Sequence, residues 1–184
     1  MSQAIISYIA KFLEVRTGGV DTYVKQIDKV HHEVHDGNCF TANYLELSVA
    51  NDGYTRLNLS TGAKQAHLSI QIVTEGKAYY KTFLGTTFTG GTGADASKLT
   101  IFNRNNTSST TPVTTAKYGI TVVSAGTMRG NQLINGGTGG NATGSSSGNR
   151  IETIIAPNSS FTVEVQNKKG QAQDIEIVLD WYEE

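Results

Sequence analysis

The sequence predicts an all-β fold, an antiparallel β-sandwich wound as a jelly roll, and three observations predict it. Its closing segments, Phe161-Thr162-Val163-Glu164-Val165 and Ile175-Glu176-Ile177-Val178-Leu179-Asp180-Trp181, alternate apolar and polar residues with a period of two. A strand reads this way when one face meets a core and the other meets water. The same grammar recurs upstream between regular turn signals, and eight to ten such strands favour the jelly-roll version of a sandwich. Twenty Gly, only two Pro and many Thr, Ser and Asn suit turns and solvent-facing strand positions.

The elements follow in order. Ile5, Ile6, Ile9, Phe12 and Leu13 fall at helical spacing, with Gly18-Gly19 as a stop, so residues 1–27 read as an arm carrying a short amphipathic helix and then a hinge. Residues 28–184 read as the sandwich. Its first strand, residues 39–49, ends in the Asn51-Asp52-Gly53 turn, and residues 54–60 and 67–74 follow. Glu75-Gly76 reads as a two-residue hairpin into a strand over 77–84. Residues 99–103, 117–124 and 128–134 are further strands. Residues 86–96 read as a Gly/Thr loop, 103–115 as a polar excursion, and the low-complexity run 135–149 as a flexible surface loop. The two closing strands read as a hairpin, with Glu183-Glu184 as a solvated tail.

Composition narrows the chemistry. A net charge of −1 with 17% charged residues calls for no nucleic-acid partner. No apolar run reaches the roughly 20 residues of a membrane span. The start lacks the pattern of a secretory signal, so synthesis in a reducing cytoplasm is expected. The single cysteine, Cys39, excludes an internal disulfide and a Cys-based zinc site, and reads as a small apolar filler.

The candidate motifs fail as catalytic signatures. In His31-His32-Glu33-Val34-His35-Asp36, a zincin order would start at His32 and meet Asp36 where its second histidine belongs. On a strand, Glu33 and His35 would share a face with His31, a surface metal clip. Against that stand a polar cluster entering the first strand and a protonation-sensitive contact at a subunit interface, and no metal or cofactor is assigned. Neither Gly90-Gly91-Thr92-Gly93 nor Gly137-Thr138-Gly139-Gly140 lies between a strand and a helix, as phosphate binding requires. No Gly-x-Ser-x-Gly elbow is present. No catalytic residue is therefore assigned, and the chain is not expected to be an enzyme.

Aromatic pairs point to contact surfaces instead. Tyr79-Tyr80 and Trp181-Tyr182 each put rings on opposite strand faces, so one of each pair faces outward unless an arm or a neighbour covers it. Tyr and Trp are enriched in protein interfaces. The expected interface residues are Ile5, Ile9, Phe12 and Leu13 on the arm, then His31, His35, Tyr80, Arg104, Trp181 and Tyr182.

Three segments resemble a group of small virion proteins of tailed bacteriophages, of the capsid decoration, cement or head-fibre type. They are His31-His32-Glu33-Val34-His35-Asp36-Gly37-Asn38-Cys39-Phe40, Leu99-Thr100-Ile101-Phe102-Asn103-Arg104-Asn105 and Leu179-Asp180-Trp181-Tyr182-Glu183. The resemblance covers about residues 28–184 and leaves out residues 1–25. It implies a non-enzymatic sandwich on the outside of a capsid, with the major capsid protein and copies of itself, often as a trimer, as partners. A host-glycan- or receptor-binding virion module and a tail or neck component are the alternatives.

Overall fold

The computed structural model describes residues 13–18, 21–26, 29–135, 144–145 and 152–184, with side chains for 29–135 and 152–184. The first described elements are an antiparallel pair, β1 (Leu13–Gly18) and β2 (Asp21–Gln26), with Gly18 opposite Asp21. The expected helix therefore does not include Leu13, and Gly18, Asp21, Thr22 and Tyr23 of the expected hinge over residues 18–23 belong to this ribbon. Val15, Thr17, Thr22, Tyr23 and Val24 are β-favouring residues, which explains the pairing. Ile5, Ile9 and Phe12 lie outside the described residues.

A helix, α1 (Lys29–Asp36), precedes the sandwich, where the sequence suggested polar residues entering a strand. Then come β3 (Cys39–Val49), β4 (Tyr54–Ser60), β5 (Ala66–Thr74), β6 (Ala78–Leu84), β7 (Thr87–Thr92), β8 (Leu99–Asn103) and β9 (Thr115–Ser124). They are followed by β10 (Thr127–Ile134), β11 (Gly144–Ser145), β12 (Thr153–Ile155), β13 (Ser160–Asn167) and β14 (Gln173–Glu183). One six-stranded sheet runs β10-β6-β13-β4-β9-β7 and the other β11-β5-β14-β3-β8, with β12 also on β5. All pairings are antiparallel. β14 lies between β3 and β5, and β13 between β4 and β6, so the last two strands close sheets opened by β3 to β6, as in a jelly roll.

The inner faces interlock in one core. Phe40, Ala42 and Tyr44 of β3, Leu57 and Leu59 of β4, Phe161, Val163 and Val165 of β13, and Ile175, Ile177, Leu179 and Trp181 of β14 belong to it. Each set has the period-two spacing seen in the sequence.

Three connections differ from expectation. β13 and β14 are not a hairpin: they sit in opposite sheets and face each other across the core. β5 and β6 are likewise split between sheets, so Glu75-Gly76 bends an arch. Alternation says which face is apolar and leaves open which strand lies alongside. Buried Asn167 holds the β13–β14 arch, donating to Val49 O and Gln171 O at 2.7 Å each and accepting from Lys169 N and Gln173 Nε2 at 2.8 Å each. Third, the Gly/Thr loop contains β7, paired with β9 from Thr87↔Ser124 to Thr92↔Tyr118. Gly91 (φ 93°) fits there because a Cβ would approach Ile120 Cγ2 to 2.7 Å. Within 135–149, Gly144 and Ser145 pair with Thr74 and Val73, and most of the remaining stretch lies outside the described residues.

Candidate functional site

The site is built on the outer face of the β5-β14-β3 sheet, where α1 lies across one end. Val and His are modest helix formers, so an eight-residue helix depends on its surroundings. Gly37 (φ 75°) ends it in a left-handed cap, with Gly37 N donating to Val34 O at 3.1 Å and Asn38 N to Glu33 O at 2.9 Å. A side chain at Gly37 would collide with Ser108. Asn105 Nδ2 donates to His35 O at 3.0 Å, tying the last turn to the polar excursion after β8.

Beneath α1, Cys39, Tyr182 and His67 are register neighbours on three adjacent strands. With Lys29, Val30, Ser69, Arg104, Glu152 and Asp180 they help enclose a cavity of about 340 Å³. His67, only 8% exposed, is its hub. Its Nδ1 lies 3.0 Å from Glu152 Oε1 and 2.9 Å from the Tyr182 hydroxyl, and its Nε2 lies 3.2 Å from Glu184 Oε2. The His67 and Tyr182 rings stack at 4.4 Å, and Lys29 pairs with Glu184 while lying 5.4 Å from the Tyr182 ring centre. Thr41 donates to Asp180 at 2.5 Å on the same face.

Electrostatics make this cluster a clamp. Burial, and next a hydrogen bond with Glu152, hold the Tyr182 phenol well above its ordinary range, so it stays protonated. The hydrogen bond from Lys29 holds Glu184 below the ordinary carboxylate range. Burial pushes the Cys39 thiol up to about 11 against the pull of Arg104, and the thiol donates to Val30 O at 3.8 Å. A thiol in that state is a poor nucleophile near neutrality. The acids and bases are matched to one another, and what they join is α1, β5, the β12 segment and the chain's last residues.

The sequence-predicted residues separate. His31 and His35 are exposed on α1, with Nε2 atoms 2.9 Å apart, and Arg104 is exposed at the cavity. Trp181 and Tyr182 are buried at 2% and 5% exposure, which corrects their reading as contact residues. Trp181 points inward, 5.7 Å from Phe40, and α1 covers Tyr182 from outside. Tyr80 packs against the core, so Tyr79 is the outward member of that pair. Glu183 and Glu184 are not a solvated tail: Glu183 is 3% exposed, and Glu184 and Gln65 exchange backbone hydrogen bonds at 3.1 and 3.2 Å. His67, Glu152 and Glu184 were missed as a group. The one available signal was His67 standing in an outward position of an alternating strand. Among the described residues no group of three or more His, Cys, Asp or Glu is placed to hold a metal ion.

The opposite sheet carries two apolar register pairs on its outer face, with the polar pair Lys81 and Asn131 between them. Met128, 52% exposed, pairs with Phe83, and Leu133, 45% exposed, pairs with Tyr79, along β10 and β6.

No protein-family model matches the chain, and no curated protein matches it. Among solved structures it aligns with a mutant VP2 protein of Infectious Bursal Disease Virus in derived T=1 particles, at 10% identity and a TM-score of 0.13. The alignment covers 92% of this chain and 44% of that one, so the chain spans less than half of the VP2 chain's length, at a score that identifies neither fold nor role.

Proposed function

We propose that the chain is a non-enzymatic virion structural protein that binds the outer surface of a tailed-phage capsid and stabilises the shell. One observation carries this reading. The three segments that resemble phage decoration and cement proteins supply most of α1 with the first two residues of β3, all of β8, and the end of β14, and these strands are neighbours in the order β14-β3-β8. Residues far apart in sequence thus form one continuous structural unit, capped by α1. The resembling residues include most of α1, Cys39 and Tyr182 beneath it, and the buried Trp181, all parts of the frame.

The partners on this reading are the major capsid protein and further copies of the chain, including a trimer, with residues 1–27 as an arm that docks on a neighbour. The exposed Met128 and Leu133, beside the half-buried Phe83 and Tyr79, support adhesion, because large apolar side chains on a sheet face gain stability when another surface covers them. A stable contact commonly buries about 1,600 Å², and repeated weak contacts on one particle add through multivalency. The glycan-binding alternative has less support: Tyr182, whose strand carries the aromatic pair, is stacked on His67 and lies beneath Lys29.

The test is co-sedimentation of the purified chain with capsid shells of the phage that encodes it, alongside a Met128→Asp/Leu133→Asp variant. Saturable binding by the wild type, lost in a variant that melts normally, is the expected result. Absence of wild-type binding to intact shells, or binding to glycans in place of shells, overturns the proposal.

A further inference from the structure

The two histidines that face each other on α1 have a geometry the structural role does not use. We propose that His31 and His35 form a two-imidazole surface site for a divalent transition-metal ion of square-planar preference, Cu(II) or Ni(II).

The helix creates the pair. Residues four apart lie one turn above the other on the same helix face, whereas on a strand they would share a face but stand about 13 Å apart. Their Nε2 atoms are 2.9 Å apart, with ring centres at 4.7 Å and planes tilted by 59°. An imidazole nitrogen binds such an ion at about 2.0–2.1 Å. Two nitrogens in adjacent square-planar positions are then about 2.9 Å apart, whereas tetrahedral coordination needs about 3.3 Å. The observed separation matches the first. As the pair stands, one ring donates its Nε2 hydrogen to the other; on metal binding that ring takes the tautomer with hydrogen on Nδ1, and both exposed rings turn so that their Nε2 lone pairs converge on the ion. No proton is lost.

Two polar side chains of the same helix are engaged elsewhere. His32 Nδ1 lies 3.3 Å from Asp36 Oδ2, and Glu33 Oε2 accepts from Asn38 Nδ2 at 3.0 Å. Both His31 and His35 are exposed, and the last turn is anchored through the Gly37 cap and Asn105, so the rings stand on a held backbone. The fourth histidine, His67, is buried in its own network and serves as an internal control.

The experiment is titration of the full chain with NiCl₂ and CuCl₂, followed by calorimetry and by electron paramagnetic resonance of the copper form. One ion per chain is expected, with copper bound more tightly than nickel and its spectrum split by two nitrogens. His31→Ala and His35→Ala should each weaken binding by about tenfold or more, since each removes one of the two protein ligands. His32→Ala should leave affinity within about twofold, because that ring is not a ligand. Thermal melts show that the variants remain folded. Unchanged affinity in the His31→Ala/His35→Ala chain, or a copper spectrum without two-nitrogen splitting, overturns the site.

Discussion

Replacing Glu183 tests the claim that the chain's last residues are structural. The carboxylate is 3% exposed. Its Oε1 accepts from Thr114 N at 2.8 Å and Trp181 Nε1 at 3.3 Å, and its Oε2 accepts from Val113 N at 3.0 Å. Thr114 is itself 1% exposed, so in Glu183→Ala its amide hydrogen has no acceptor and no water. An orphaned buried donor costs about 1–3 kcal/mol. The long Trp181 contact adds about 1 kcal/mol, and Val113, 46% exposed, recovers most of its loss by turning to water. The total is about 2–4 kcal/mol, which for a domain of this size lowers Tm by about 5–15 °C.

Glu183→Gln separates the two oxygens. An amide oxygen in the Oε1 position still accepts from Thr114 and Trp181, and only the exposed Val113 contact is lost, so the expected cost is about 1 kcal/mol. Thermal and urea melts give the stabilities, and hydrogen exchange at the Thr114 amide gives the local effect. If the alanine variant lies within about 1 kcal/mol of wild type, or if glutamine is as damaging as alanine, the reasoning fails.

Asn167→Asp removes the donors to Val49 O and Gln171 O and sets a carboxylate against both carbonyls, so a loss of about 3 kcal/mol in urea unfolding is expected. Cys39, with its thiol at about 11, should react with a disulfide reagent at pH 8 at least about a hundredfold more slowly in the native chain than in urea; equal rates would refute the buried, protonated thiol. Hydrogen bonds from the Ser97 and Tyr118 hydroxyls and from the Ser97 and Lys98 amides hold Asp95 down to about 2. Because this value is depressed, the turn's contribution is complete above the usual carboxylate pKa of about 3.9 and disappears as pH falls through about 2. A carboxyl titration by NMR centred near 4 would contradict it.

Where a strand has one wet face, its limits were legible to within a residue or two: residues 54–60 and 99–103 coincide with β4 and β8. Pairing was not legible, because the alternation in β13 and β14 is satisfied equally by a hairpin and by two facing sheets. β7 was hidden by Gly90 and Gly91, whose positive φ bends an edge strand and whose composition reads as loop. α1 was hidden because none of its residues is buried, so no apolar stripe marks it. The clamp was illegible for a different reason. His67, Glu152 and Glu184 come together only when β5 and β14 pair, and a lone carboxylate carries no sign of its partner.

β14 shows why misreading the chain's end matters to the whole. It is hydrogen-bonded on both edges, to β3 and β5, and its inner residues Ile175, Ile177, Leu179 and Trp181 fill the core. Its outer residue Tyr182 completes the row under α1, and Glu183 and Glu184 hold the polar excursion, Lys29 and His67. β14 is thus committed on both edges and on its inner face, and its outer face is covered at Tyr182, while Glu176 and Val178 remain half-buried. On the proposed capsid-binding role, the better-exposed apolar side chains are those of edge strand β10, which is why Met128 and Leu133 are the residues to mutate when capsid binding is tested.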